Sequence, residues 1–239
     1  MYYGGRTNYG QAMGILMLNT TFPRIPGDIG NATTFSFPVV YKIIENANAF
    51  TVVDQGGKDL LEPFIEGARE LAKLGVRAIT TSCGFLATLQ KELAAAVNVP
   101  VFTSSLIQAR LVYPMLAPGQ KVGIITANAA ALGERHFAGV GIADIPRAVI
   151  GVEKSHFAEM FFSGSNKLDE KKAETELVAA AEKLVADHGD IGAIVLECTN
   201  MPPYAAAIHE ATGLPVFDIV TLTNYVYAAL EPRRYSGYM

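Results

Sequence analysis

The two cysteines of this 239-residue chain close the same kind of strand twice. Ala78-Ile79-Thr80-Thr81-Ser82-Cys83 and Ala193-Ile194-Val195-Leu196-Glu197-Cys198 lie 115 residues apart. In both copies a short strand opens on a proline 17 residues after the cysteine, as Pro100-Val101-Phe102 and Pro215-Val216-Phe217. An offset kept over that length reads as an internal duplication. If the two halves face each other, two thiols flank one cleft. Such a pair can carry a proton across a carbon, whereas a single group returns a proton only to the face it left.

The local settings fit acid–base work. Cys83 is followed by Gly84 and Phe85 at the start of a predicted helix. There the helix dipole and free N–H groups are expected to pull the thiol from about 8.5 towards neutrality. Gly84 is expected to let a ligand approach the backbone. Cys198 is followed by Thr199 and Asn200, and Pro202 suits a first helical turn. The Thr199 hydroxyl and the exposed N–H groups read as an anion pocket for a carboxylate. Glu197 would raise a neighbouring thiol, but strand alternation predicts that it points to the opposite face. Asn19 and Thr20 end the first strand, Thr126 ends its counterpart and Ser82 precedes the first thiol. The candidate substrate-binding set is therefore Asn19, Thr20, Ser82, Gly84, Phe85, Thr126, Thr199 and Asn200, around Cys83 and Cys198 as the catalytic pair.

Plainer readings compete. A free cysteine is often a small inert core residue, and polar residues at strand ends are ordinary turn formers. Arg24 and Asp28 fall in a long loop, where they could cap a substrate but read rather as solvated loop charges. His136, His156, His188 and His209 show no metal-ligand spacing. Gly56-Gly57 is a lone turn signal, and no phosphate-binding glycine pattern occurs. The sequence predicts neither a metal nor a nucleotide cofactor.

These residues need elements to hold them. Gly14-Ile15-Leu16-Met17-Leu18 reads as a strand buried in a parallel sheet. Residues 20–38 read as a long, functional loop. Helical patterns are expected at 38–48 and 58–74, the second ending at Gly75. Strand 76–81, helix 85–97 and strand 100–102 follow. The second half restarts at Lys121–Thr126, with a helix near 128–138 and a strand at 147–152. Helix 174–187 carries Leu177, Ala181, Leu184 and Val185 on one face and has Gly189 past its end. Strand 191–197, a helix near 203–211, strand 215–217 and a helical tail at 221–230 complete the repeat. Alternating strands and helices imply parallel βαβ units. The expected fold is α/β: two pseudo-symmetric Rossmann-like lobes with parallel sheets and the active site in the cleft between them. The lobes are expected at 1–115 plus 217–239, carrying Cys83, and 116–216, carrying Cys198. Ligands of such sheets sit beyond the carboxyl ends of the strands, where both cysteines lie.

Composition narrows the class. Half of the residues are hydrophobic, and 19 basic against 23 acidic residues leave a formal charge of −4 without a basic stripe, which argues against nucleic acid. Mean hydropathy is +0.25, yet no apolar run reaches the roughly 18–20 residues of a membrane span. The polar, aromatic start Met1-Tyr2-Tyr3-Gly4-Gly5-Arg6 does not resemble a secretory leader, and two cysteines read as reduced thiols, so a cytoplasmic location is expected.

Leu18-Asn19-Thr20, Ser82-Cys83-Gly84, Thr126 and Glu197-Cys198-Thr199-Asn200 together resemble the aspartate/glutamate racemase superfamily, over essentially the whole chain. Cys198-Thr199 matches the second motif of its amino-acid racemases. After the first cysteine those racemases usually carry Asn-Thr, where this chain has Gly84-Phe85, and where they often carry an acidic residue this chain has Asn19. The resemblance implies two α/β lobes, no cofactor and a homodimer or higher homo-oligomer. It implies a racemase or epimerase that inverts the α-carbon of an amino acid or related small carboxylate with two cysteines. Maleate-type cis–trans isomerisation, in which Cys83 adds covalently to an unsaturated diacid, and hydantoin racemisation are the alternatives on the same scaffold. A non-catalytic carboxylate-binding protein would have no use for two matched thiols.

Overall fold

The computed structural model describes residues 1–54 and 59–239. Its eight strands form two four-stranded parallel sheets of the same order. In the first, β1 (Met13–Leu18) lies between β2 (Val39–Ile44) and β3 (Ala78–Thr81), and β4 (Val101–Phe102) pairs with β3. In the second, β5 (Lys121–Thr126) lies between β6 (Arg147–Gly151) and β7 (Ile191–Leu196), with β8 (Val216–Phe217) outside β7. The cysteine-bearing strands β3 and β7 thus hold equivalent places beside a central strand. This is the α/β architecture expected of the duplicated sequence.

Burial explains the strands' composition. All six residues of β1 are buried, as a parallel strand covered on both faces requires. Alternation sends Leu16 and Leu18 into one apolar cluster and Met13, Ile15 and Met17 into another. The first of these clusters also contains Phe85 and Leu86 from the first half and Val122, Ile124, Phe137 and Val195 from the second, so one core joins the lobes. At roughly 1.5–3 kcal/mol per fully buried large apolar side chain, this shared cluster is a major part of what keeps the cleft in register.

Helices cover the sheets. In α1 (Leu61–Leu74), Phe64, Ala68 and Leu71 are buried, and Gly75 closes it in the left-handed region at φ 93°, its N–H bonding to the carbonyls of Ala72 and Leu71. Short α2 (Gln90–Ala96) follows a 3-10 helix at Gly84–Leu89, where the sequence predicted one continuous helix. The sequence did not predict α3 (Gln108–Val112), and the helix near 128–138 shrinks to α4 (Glu134–Gly139). Also unforeseen is α5 (His156–Ser163). Helix α6 (Glu170–Asp187), capped by Asp169, buries Ala173, Leu177, Ala181 and Leu184, while Val185 is only half-buried. Next comes α7 (Ala205–Thr212). The tail forms α8 (Ile219–Leu230), whose Asp218 cap and Thr221 bond reciprocally. Its Ile219 and Leu222 pack with Met13, Ile15, Ala78 and Phe102 against the first sheet, so the chain returns there directly after β8.

One expectation is overturned outright. Residues 38–48, predicted helical, contain strand β2, paired along its length with β1 from Met13↔Val39 to Leu18↔Ile44. The segment is an edge strand, so Lys42 interrupts its β-branched and aromatic residues and imitates a helical period. The Gly56-Gly57 turn signal and the first residue of the 58–74 pattern lie outside the described residues. Among the described residues, no helix is long and apolar enough to cross a membrane.

Candidate active site

Cys83 and Cys198 line one cavity of about 450 Å³, its open mouth included. The chain reaches it from several elements. Ser82, Cys83, Gly84 and Phe85 come from the turn after β3, and Glu197, Cys198, Thr199 and Asn200 from the matching turn after β7. The 20–38 loop adds Thr20, Phe22 and Arg24, and α5 adds Phe161. Leu18, Ala49, Val53 and Ala127 complete the apolar wall. A concave, largely apolar space with a few convergent polar groups is the usual form of a small-molecule site.

Both thiols sit where helical turns begin. The Cys83 carbonyl accepts from the Leu86 N–H at 3.1 Å, and the Cys198 carbonyl from the Met201 N–H at 3.1 Å. The Cys198 thiol lies 3.6 Å from Asn200 Oδ1. The expected lowering of the thiols does not occur. Burial, and after it the Glu197 carboxylate, push Cys83 up to about 12, against the opposing N–H groups of Phe85 and Leu86 and the Arg24 charge. Cys198 is pushed well above its ordinary value by burial and by Glu197. A short 3-10 helix offers a few N–H dipoles, too little to outweigh desolvation and a carboxylate. At neutral pH the resting site holds two protonated thiols.

Glu197 departs from its predicted position. Strand β7 ends at Leu196, so alternation no longer governs the next residue, and Glu197 lines the cavity fully buried. Its Oε2 accepts from the Thr126 hydroxyl at 2.7 Å, and its Oε1 has no partner among the described residues. Burial pushes the carboxyl up to about 7, against the Thr126 hydrogen bond. A side chain on Gly84 would collide with Glu197 Oε1 and with its carbonyl. The space that Gly84 was expected to leave for a ligand is therefore taken by Glu197.

Arg24 and Asp28 are no solvated loop charges. Arg24 bonds Asp28 Oδ1 and the Thr20 hydroxyl at 2.9 Å each and lies over the Phe22 ring. Asp28 is 3% exposed, and its Oδ2 accepts from Asn200 Nδ2 at 2.6 Å. The loop thus arches from the first half onto the second. The i,i+4 spacing of Arg24 and Asp28 was the available sequence signal.

Of the predicted binding residues, Thr20, Ser82, Gly84, Phe85, Thr199 and Asn200 line the cavity, and Asn19 and Thr126 do not. Asn19 is exposed and donates to Glu45, whereas Thr126 is buried behind Glu197. Two of the lining hydroxyls are committed elsewhere. Ser82 Oγ accepts from the Leu18 N–H at 2.8 Å, and Thr199 Oγ1 donates to the Ser82 carbonyl at 2.6 Å, tying the two cysteine turns together. Sequence reasoning missed Phe22, Phe161 and the aliphatic wall, because nothing local distinguishes such residues from core. The histidines stay out of the cavity. His136 packs edge-on against Phe85, its pKa lowered to about 4 mainly by burial. Among the described residues, no group of three or more His, Cys, Asp and Glu is placed to hold a metal.

A two-lobed α/β enzyme fold with paired cysteine turns at one cavity is what the geometry defines. The chain belongs to the Asp/Glu/hydantoin racemase family, whose model matches residues 65–223. Among its relatives, a dimethylsulfoniopropionate lyase of Durusdinium sp. clade D is 30% identical over 227 residues, covering 90% of this chain and 73% of that protein. Dimethylsulfoniopropionate lyase 3 of Emiliania huxleyi is 31% identical over 230 residues, covering 92% of this chain but only 60% of that longer protein. A solved mutant of arylmalonate decarboxylase shares the fold at a TM-score of 0.64 and 16% identity, over 92% of each chain.

Proposed function

We propose that the chain is a cofactor-independent lyase that removes the proton α to a carboxylate with a cysteine and expels a leaving group from the β-carbon, with dimethylsulfoniopropionate as substrate. The observation that carries this reading is one aromatic-walled cavity faced by both thiols, Glu197 and Arg24. The kinship with lyases of that compound selects the substrate. Arg24 supplies the positive charge among the lining residues and receives the substrate carboxylate. Cys83 is the base: burial and Glu197 push both thiols up, but at Cys83 two N–H groups and the Arg24 charge oppose that rise, against the single Asn200 N–H at Cys198.

The electron count closes. Cys83 first gives up its thiol proton to solvent; the thiolate then takes the α-proton and is a thiol again, the C–H pair becomes the C=C bond of acrylate, and the C–S pair leaves with neutral dimethyl sulfide. Positive charge on sulfur vanishes as this happens. Phe22, Phe85 and Phe161 form a low-dielectric wall that accommodates an uncharged leaving group well and excludes water from the carbanionic transition state.

Racemisation is the second reading, favoured by the matched placement of the two thiols, since inversion needs a group on each face and elimination needs one. Purified protein incubated with dimethylsulfoniopropionate should release dimethyl sulfide to the headspace and acrylate to solution. Inversion of a chiral 2-substituted acid in deuterated water, with deuterium at the α-position and no dimethyl sulfide from the sulfonium compound, would replace the lyase by the racemase.

A further inference from the structure

Glu197 poses a problem that neither thiol solves. Its carboxyl is fully buried, one oxygen is held by the Thr126 hydroxyl and the other has no partner among the described residues. It belongs to none of the ion pairs among the described residues. Arg24, on the same cavity, pairs with Asp28 and not with Glu197, and it has N–H donors beyond those given to Asp28 and Thr20. An isolated carboxylate in such surroundings is expensive unless a cation or a proton meets it. Gly84 supplies the room for it, and Phe85 and Phe161 line the same cavity with aromatic rings of the kind that attract organic cations, while the Phe22 ring lies under Arg24. At the matched position of the first half stands Ser82, which is uncharged, so the cavity is electrically lopsided.

We infer that Glu197 is the specificity-determining residue of the cavity, receiving the onium head of a zwitterionic substrate whose carboxylate lies at the Arg24 end. The inference deepens the proposed function and rests on its placing a small carboxylate in this cavity. Selection then works by charge: an onium acid satisfies both ends, while an uncharged tail leaves the Glu197 carboxylate unmatched. The bound cation also cancels the charge that helps to push Cys83 up, so it assists formation of the base.

The pH trend follows from geometry and sign. With the Glu197 carboxyl pushed up to about 7, a cation favours its ionised form, so binding an onium acid releases a proton and tightens as pH rises from 6 to 8. A tail without charge gains nothing from that ionisation, and its own carboxylate is repelled, so its affinity falls over the same range. The other charged or titratable groups around Glu197 are Cys83, Cys198, Arg24 and Asp28, and His136 lies behind Phe85. The thiols titrate far above this window, and His136 titrates below it.

Calorimetry with two probes tests this: β-alanine betaine, a trimethylammonium acid whose amine is a far poorer leaving group than dimethyl sulfide, and 4-methylpentanoate, the uncharged carbon isostere of dimethylsulfoniopropionate. Wild type should bind the betaine at least ten-fold more tightly at pH 8, with proton release, and the two probes should respond to pH in opposite directions. Glu197→Gln, close in size and able to accept from Thr126, should cut the preference to below about two-fold. Equal affinities in the wild type, parallel pH trends, or a Glu197→Gln protein that keeps the preference would each overturn the inference. The wild-type trends need no variant to fold. A protein that prefers the betaine but releases no dimethyl sulfide keeps the inference and sinks only the lyase reading.

Discussion

Ser82-Cys83-Gly84 and Glu197-Cys198-Thr199 are the same three positions of a duplicated unit, and they differ at every residue except the thiol. Each residue before the cysteine bonds to the central strand of its own sheet: Ser82 Oγ accepts from Leu18, and Glu197 Oε2 from Thr126. One bond is uncharged, and the other fixes a buried carboxylate in the cavity. After the cysteine, Gly84 makes room for that carboxylate, while Thr199 reaches across to the Ser82 carbonyl. The duplication therefore preserved where the backbone puts two sulfurs and divided the remaining tasks between the halves. Symmetry of fold coexists with asymmetry of charge, and asymmetry is what one-directional chemistry needs.

The largest expected effect tests whether the two thiols are equal. Cys83→Ser should lower elimination by ~10²–10⁴-fold, as loss of a positioned base does. Cys198→Ser should lower it by less than about ten-fold, roughly 1.4 kcal/mol. Steady-state rates of both variants decide the matter. Equal, large losses would restore a symmetric two-base mechanism and break the comparison.

The bridge between the halves comes next. The first half sends a long loop over the site, and Asp28 in it holds both Arg24 and Asn200. Asp28→Ala leaves Arg24, whose side chain is 15% exposed, without its partner, and should cost about 3–5 kcal/mol in urea unfolding. Asp187→Ala, which breaks the exposed Lys183–Asp187 pair, should leave the urea midpoint almost unchanged.

The smallest effects sharpen the contrast after the cysteines. Gly84→Ala adds a methyl group against the Glu197 carboxylate and carbonyl and should destabilise by about 1–3 kcal/mol. Thr199→Ala removes one hydrogen bond between the turns and should cost about 1 kcal/mol. Melting temperatures that fall equally for both, or more for Thr199→Ala, would show that the glycine is not holding space for Glu197.

Much of this is legible in the sequence. Strand β1 announces itself because burial on both faces demands an unbroken apolar run, and α6 because its buried residues recur at helical spacing. Strand β2 was misread because an exposed edge relaxes that demand. Helix α5 does carry boundary signals, the Ser155 cap and the left-handed Gly164, but it spans only two turns, and sequence reasoning passed over it and with it Phe161.

The sequence by itself determined the duplication, the α/β class and the convergence of two thiols on the carboxyl ends of two parallel sheets, since these follow from apolar periodicity and from one repeated motif. Only the tertiary structure decided the electrostatics. Whether Glu197 faces the cavity depends on where β7 stops, and whether Arg24 is solvated depends on how a loop folds over the other half. The level of a thiol follows from the sum of burial and neighbouring charge, and both come from residues distant along the chain. Helix-start dipoles are local and could be read from the sequence; desolvation is collective, and here it prevails.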